Sequence, residues 1–174
     1  MLMKALTVMQ PWASLAAIEA KGYETRGWAT KYRGPLAIHA GQALLEFRSV
    51  SDRKFIAATE KALGITFLRK FTDKYPPRYI IPCSTLPRGA VIATADLVEC
   101  WEILELGQII GEKRAVWIRD SDGFGKTKMI DLKEILFGDW TPGRFAWELA
   151  NVKALPMPVP CRGRQGLWNW EVAA

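Results

Sequence analysis

The residues best suited to chemistry crowd into one stretch, 10–39. There Gln10, Lys21, Glu24, Arg26, Arg33 and the only histidine, His39, alternate with Trp12, Tyr23, Trp28 and Tyr32. Flat aromatic faces beside hydrogen-bonding groups suit a planar polar ligand such as a nucleobase, which stacks on a ring while its edge is read by polar side chains. Gln10, Trp12, Arg26, Trp28, Arg33 and His39 are therefore the candidate ligand- or nucleic-acid-binding residues. Lys21 and Glu24 are the candidate catalytic pair, because a lysine and a carboxylate adjacent in a partly dry cleft can act as acid and base. Each also has a structural reading. Lys21 complements a helix dipole if it sits in a last helical turn. A Glu–Arg–Lys group can be an ion-pair network, and a lone histidine among apolar residues can be a satisfied core group.

Several elements must hold these side chains. Residues 4–9 read as a first strand. Pro11 fits the first position of a helix running through Glu19, with Gly22 as its stop signal and Lys21 in its last turn. Residues 23–28 look extended, which points Glu24, Arg26 and Trp28 one way and Thr25 the other. Arg33-Gly34-Pro35 is a turn before a strand, 36–40, that carries His39 near its end. Residues 42–64 read as two helices, the second capped by Ser51 or Asp52, and the prolines at 76, 77 and 82 make 72–87 a connecting loop. Strands follow at 91–98, 144–152 and 167–172, with turns at 120–126 and 139–143. Between 102 and 142 the short Val116-Trp117-Ile118 run fits a strand or a helix. Arg162-Gly163-Arg164-Gln165-Gly166 is a basic glycine-rich turn without the strand-to-helix context of a phosphate loop; Arg164 and Gln165 line the site if that turn folds back over it.

Composition bounds the reading. With 174 residues, 49% hydrophobic and 24% charged, the chain suits one globular domain. The net charge is +6, and it is unevenly placed: residues 1–87 hold 13 basic against 6 acidic side chains, and 88–174 hold 11 against 12. The excess lies in the half with the polar–aromatic stretch and favours an anionic partner such as a nucleic acid, a solvated basic face being the alternative. Cys83, Cys100 and Cys161 lack a CxxC pair, and one histidine leaves no metal-ligand spacing, so neither a metal nor a cofactor is expected. The broken apolar run at the N-terminus makes a poor signal peptide, and no stretch approaches the ~18 apolar residues of a membrane span. The expected location is cytoplasmic, with reduced thiols.

The motifs Gln10-Pro11-Trp12-Ala13-Ser14-Leu15, Lys21…Glu24-x-Arg26-x-Trp28 and Tyr32-Arg33-Gly34…Ile38-His39-Ala40 together resemble the ASCH domain family of the PUA-like superfamily. Gly89-Ala90-Val91-Ile92-Ala93 and Pro142-Gly143-Arg144-Phe145-Ala146-Trp147-Glu148-Leu149 add to the likeness. The ending Pro158-Val159-Pro160…Gly163-Arg164-Gln165-Gly166-Leu167-Trp168 is similar to the longer, EOLA-like members. The resemblance implies an α+β fold, a PUA-like pseudo β-barrel of mixed strands with flanking helices. It implies one domain over 1–174, with a helical insertion around 42–75, and a cleft for RNA or a modified nucleoside.

Three functions fit. The first is an RNA- or nucleoside-binding module, with Arg26, Arg33 and Lys21 on phosphate or carbonyl oxygens and a tryptophan stacked on a base. The second is a metal-independent hydrolase, either a ribonuclease or an enzyme resembling the small ASCH amidohydrolases of N4-acetylcytidine, which use a lysine, a threonine and a glutamate. Lys21 and Arg26 match that pattern, but Glu24 stands at the threonine position with Thr25 one residue later. The third is a coactivator-like protein-interaction module built on the tryptophans.

Overall fold

The computed structural model describes residues 2–43, 46–47, 52–72, 75–81 and 85–171. In chain order the elements are β1 (Leu2–Val8), α1 (Trp12–Ala17), β2 (Tyr23–Arg26), β3 (Gly34–Ala40), β4 (Glu46–Phe47), α2 (Asp52–Leu63), β5 (Leu68–Thr72), β6 (Tyr75–Ile80), β7 (Ala90–Ile110), β8 (Lys113–Arg119), β9 (Gly125–Asp131), α3 (Leu132–Phe137), β10 (Phe145–Pro160) and β11 (Leu167–Glu171). The architecture is α+β, with a strand-rich mixed sheet and, among the described residues, three helices.

The main sheet has the order β11-β1-β3-β7-β10-β2, with β8 and β9 added at the far end of β7. Only β1 and β3 run parallel; α1 and β2 lie between them in sequence, as a parallel connection requires. Among the described residues the two ends of this order, β11 and β2, do not pair with each other. The long strands β7 and β10 run antiparallel, with register shifts after Glu148, Ala150 and Ala154. Asn151 takes a positive φ of 50° at the second shift, a conformation asparagine tolerates better than most residues. These irregularities bend the pair, as bulges do.

Helix α1 lays Ala13 and Ala16 against β3, β7 and β10. Leu6, Val8, Leu36, Ile38, Leu97 and Trp147 complete that core cluster. Trp147 is fully buried, and its indole N–H donates to the Trp28 carbonyl at 3.3 Å. Trp101, Trp140, Trp168 and Trp170 are also buried, so five of the eight tryptophans are core.

Several local expectations are corrected. Helix α1 stops at Ala17, with Glu19 at φ 59°, so Lys21 lies in the following loop and not in a last helical turn. Among the described residues the segment read as two helices holds one, α2, preceded by the short strand β4, and much of the first expected helix lies outside the described residues. The expected Ser51 or Asp52 cap lies outside the described residues and side chains. The segment from 72 onward, expected as a loop, carries β6 up to Ile80, in a second sheet of order β4-β6-β5. Pro76 and Pro77 are tolerated because β4 meets only residues 79 and 80 and the β5 register slips between Lys70 and Thr72, so no regular ladder needs their missing N–H groups. The ambiguous Val116–Ile118 run is strand, in β8. No described helix is long and apolar enough to cross a membrane. Cys100 and Cys161 are free thiols, and Cys83 lies outside the described residues.

Because Trp147 has no exposed surface and packs edge-on against Trp28 with ring centres 4.5 Å apart, truncation leaves a cavity in the middle of the sheet. Trp147→Ala is expected to lower unfolding free energy by about 3–5 kcal/mol in chemical denaturation.

Candidate functional site

Three buried or half-buried charges meet where β2 leaves the loop after α1. Lys21 is 1% exposed. Its Nζ donates to the Tyr23 carbonyl and to Glu24 Oε2, the latter at 2.9 Å. The other carboxylate oxygen, Glu24 Oε1, lies 3.1 Å from Arg26 Nε, within ion-pair distance although the N–H is not aimed at it. Arg26 also donates from a terminal nitrogen to the Thr7 carbonyl at 2.7 Å. Burying these charges is tolerable only because each has an opposite or dipolar partner. An ammonium has three donors, so Lys21 keeps one beyond its two contacts.

Local sequence explains the alignment. Alternation along β2 puts Glu24 and Arg26 on one face, and Glu24 sits directly across from Trp147 of β10. Thr25 lies between them in the alternation yet still borders the same cleft, with its Oγ1 accepting the Asp139 N–H at 2.9 Å. The loop ahead of β2 is held from outside by Glu134 of α3, whose carboxylate accepts the N–H groups of Gly22 (2.7 Å) and Tyr23 (3.1 Å). Burial pushes the Glu134 carboxyl above its ordinary range, against the opposing pull of Lys21 and those two N–H groups.

These side chains line a cleft of about 300 Å³. Trp12, Thr25, Leu136, Phe137, Gly138, Asp139 and Arg144 form its remaining walls, with Val8 and Met9 from the end of β1. Trp12 packs on Phe55 of α2 at 5.4 Å between ring centres, and Phe55 in turn meets Phe137 at 6.2 Å. Helix α2 therefore backs the aromatic wall of the cleft. A side chain on Gly138 would put its Cβ 2.7 Å from the Trp140 indole nitrogen and 3.0 Å from the Thr25 methyl, so glycine lets the chain pass closely at this rim. Asp139 pairs with Arg144 at 3.2 Å, and the hydroxyl of Thr141 holds its carboxyl below the usual range despite partial burial. With Lys21, Arg26 and Arg144 against Glu24 and Asp139, the lining carries a net charge of +1.

The eight residues singled out from the sequence divide. Lys21, Glu24, Arg26 and Trp12 come together on the cleft; Gln10, Trp28, Arg33 and His39 do not line it. Gln10 is buried, with its amide N–H on the Pro87 carbonyl (2.7 Å) and its amide oxygen accepting the Ser14 N–H (3.1 Å). Trp28 is 38% exposed and covers Trp147. Arg33 ties the Thr30 and Tyr32 carbonyls to Glu99. His39 is buried at the end of β3, with Nε2 3.1 Å from the Cys161 carbonyl. A carbonyl only accepts, so Nε2 carries the proton; Nδ1 has no hydrogen-bond partner among the described residues. Burial lowers the His39 pKa, with the carbonyl pulling the other way. Asp139, Arg144 and Glu134 were not among the sequence candidates. Asp139 and Arg144 flank the 139–143 turn, which was legible, but nothing local places that turn against β2.

A scan against protein-family models finds no match for the chain, and a search of curated proteins finds none.

Two measurements check this geometry. Glu24→Gln leaves Lys21 buried without its counter-ion and is expected to destabilise by about 3–5 kcal/mol, whereas Lys21→Met combined with Glu24→Leu recovers most of that loss in denaturant titration. For His39, a pKa below its unfolded value near 6.5 means that the unfolded chain protonates first as pH falls. Its stabilising contribution is complete above the unfolded value and is lost as pH drops through the folded one. The raised Glu134 pKa acts in the opposite sense, costing stability as pH rises through it. The difference between the parent and His39→Gln isolates the first effect: stability of the parent should fall more steeply from about pH 7 to 5 than that of the variant.

Proposed function

We propose that the protein binds single-stranded RNA or a modified nucleoside in the Lys21–Glu24–Arg26 cleft, as an ASCH-like module on a PUA-like pseudo-barrel scaffold. The observation that carries this reading is a buried ion pair lining an aromatic-walled cleft. About 300 Å³ lies at the small end of ligand cavities and suits one base rather than an extended ligand. The spare Lys21 donor fits a base carbonyl or ring nitrogen, and the remaining lone pairs of Glu24 fit an exocyclic amine. Those two features sit side by side on the edge of cytosine. Trp12 offers a half-buried aromatic face, and base stacking on such a ring contributes ~1–3 kcal/mol.

A hydrolase is the second reading, favoured by the 2.9 Å contact of Lys21 with Glu24, which places a proton donor beside a carboxylate. Thr25 also borders the cleft, where its hydroxyl oxygen accepts the Asp139 N–H at 2.9 Å, one position out of the alternation that carries Glu24 and Arg26. A partner surface built on tryptophans retains only Trp28 and Trp117 as exposed rings.

Tryptophan fluorescence titration with short single-stranded RNA and with N4-acetylcytidine, at two salt concentrations, tests the proposal. The expected result is salt-sensitive quenching by RNA that Arg26→Gln weakens and Lys21→Met abolishes, with ligand recovered intact by mass spectrometry. Cleaved or deacetylated product that disappears in Glu24→Gln makes the protein a hydrolase. No quenching by either ligand overturns both readings.

A further inference from the structure

A second and larger cavity, of about 1010 Å³, lies across β1 from the cleft. Its floor is Thr7 and His39, and its rim is the basic turn Arg162-Gly163-Arg164-Gln165. Among the described residues no carboxylate lines it and neither Arg162 nor Arg164 has an acidic partner, although both also border an adjoining pocket that holds Glu171. Both are exposed.

The turn that carries them is nevertheless fixed. Thr7 Oγ1 donates to the Arg164 carbonyl at 2.9 Å and accepts the Trp168 indole N–H at 3.2 Å. The Cys161 N–H donates to the Gly89 carbonyl at 2.9 Å, while its own carbonyl takes the His39 proton. Between these ties, Gly163 presses on the imidazole: a Cβ there would lie 2.4 Å from His39 Cε1, 2.7 Å from Nδ1 and 2.9 Å from Thr7 Oγ1. Two exposed guanidiniums with no acidic partner among the described residues, carried on a turn whose backbone is held, offer a phosphate paired donors, since a guanidinium fork can take its oxygens in pairs.

Thr7 joins this cavity to the cleft. Its carbonyl accepts from Arg26 on the cleft side, and its hydroxyl holds the arginine turn on the other. We infer that Arg162 and Arg164 form a phosphate subsite for a polynucleotide strand whose base occupies the Lys21–Glu24–Arg26 cleft. The occupant is then one residue of a nucleic-acid chain, not a free nucleoside. This inference rests on the cleft being a base site, as proposed above.

The test compares the parent with the Arg162→Gln/Arg164→Gln double variant and with Lys21→Met. The probes are cytidine, cytidine monophosphate and a short single-stranded RNA of mixed sequence, over a range of salt. The double variant should bind RNA about tenfold more weakly at low salt, with the slope of log affinity against log salt reduced by ~1.4, the value for two lost phosphate contacts on a single strand. Its affinity for cytidine and its melting temperature should not change. RNA affinity and slope equal to those of the parent overturn the subsite. Cytidine monophosphate that matches RNA in affinity and in dependence on the two arginines overturns the polynucleotide claim. If cytidine binds and depends on Lys21, but RNA binds no better, the subsite falls and the cleft reading stands. If RNA depends on the arginines but not on Lys21, and cytidine does not bind, the cleft reading falls and the phosphate contacts stand alone.

Discussion

The burial of the Lys21 ammonium is the constraint around which this part of the molecule is arranged. An ion of that size loses several kcal/mol of hydration in the interior, and only close, well-oriented partners offset the loss. Glu24 and the Tyr23 carbonyl supply them, which fixes where β2 begins. Glu134 then fixes the same loop from outside by accepting the Gly22 and Tyr23 N–H groups, and Arg26 ties the strand's far end to Thr7. A network this connected is costly to break at one point, because each lost partner leaves a buried charge behind. The same property makes it a rigid platform along the cleft.

On the reverse face of β2 and β10 a second charge network has a different character. Glu148 accepts from Lys128 (2.6 Å), the Trp101 indole (2.6 Å) and the Tyr23 hydroxyl (3.1 Å). Burial alone would raise its carboxyl pKa, but these donors outweigh it and hold it low. Burial and the neighbouring Glu148 carboxylate push the Tyr23 phenol well above its ordinary value. Lys126 and Lys128 also lie over the Trp101 ring, at 4.2 and 5.1 Å from its centre. Tyr23 is thereby committed to the scaffold, and the chemistry of β2 is left to Glu24 and Arg26.

Helix α2 and its small sheet extend the same logic. The segment between β3 and β7 is not merely decoration, since Phe55 stands behind Trp12 and against Phe137. Leu15, Ile56, Phe67 and Ile81 complete a separate apolar cluster there. The aromatic wall of the cleft therefore depends on contacts across some forty residues of chain from Trp12 and eighty from Phe137.

The sequence by itself determined the short-range features. Alternation in 23–28 put Glu24 and Arg26 on one face and Thr25 on the other, because side chains in a strand repeat every two residues. The same periodicity marked the start of β10, β-branched content after a glycine marked the first part of β7, short apolar runs marked β1, β3 and β11, and turn chemistry marked 120–126 and 139–143. The residue types also marked Lys21 and Glu24 as a pair. Where a signal depended on partners distant in the chain, the sequence was silent. Gln10 and Arg33 look like ligand groups until Pro87 and Glu99 are seen to occupy them. His39 sits behind the basic turn at 162–165 because β3 and the end of β10 meet through β7. Asp139 and Arg144 reach the cleft only because α3 packs against α2 and β10 pairs with β2. Local periodicity fixes which face a side chain occupies; which other face it meets is decided by the pairing of strands far apart in the chain.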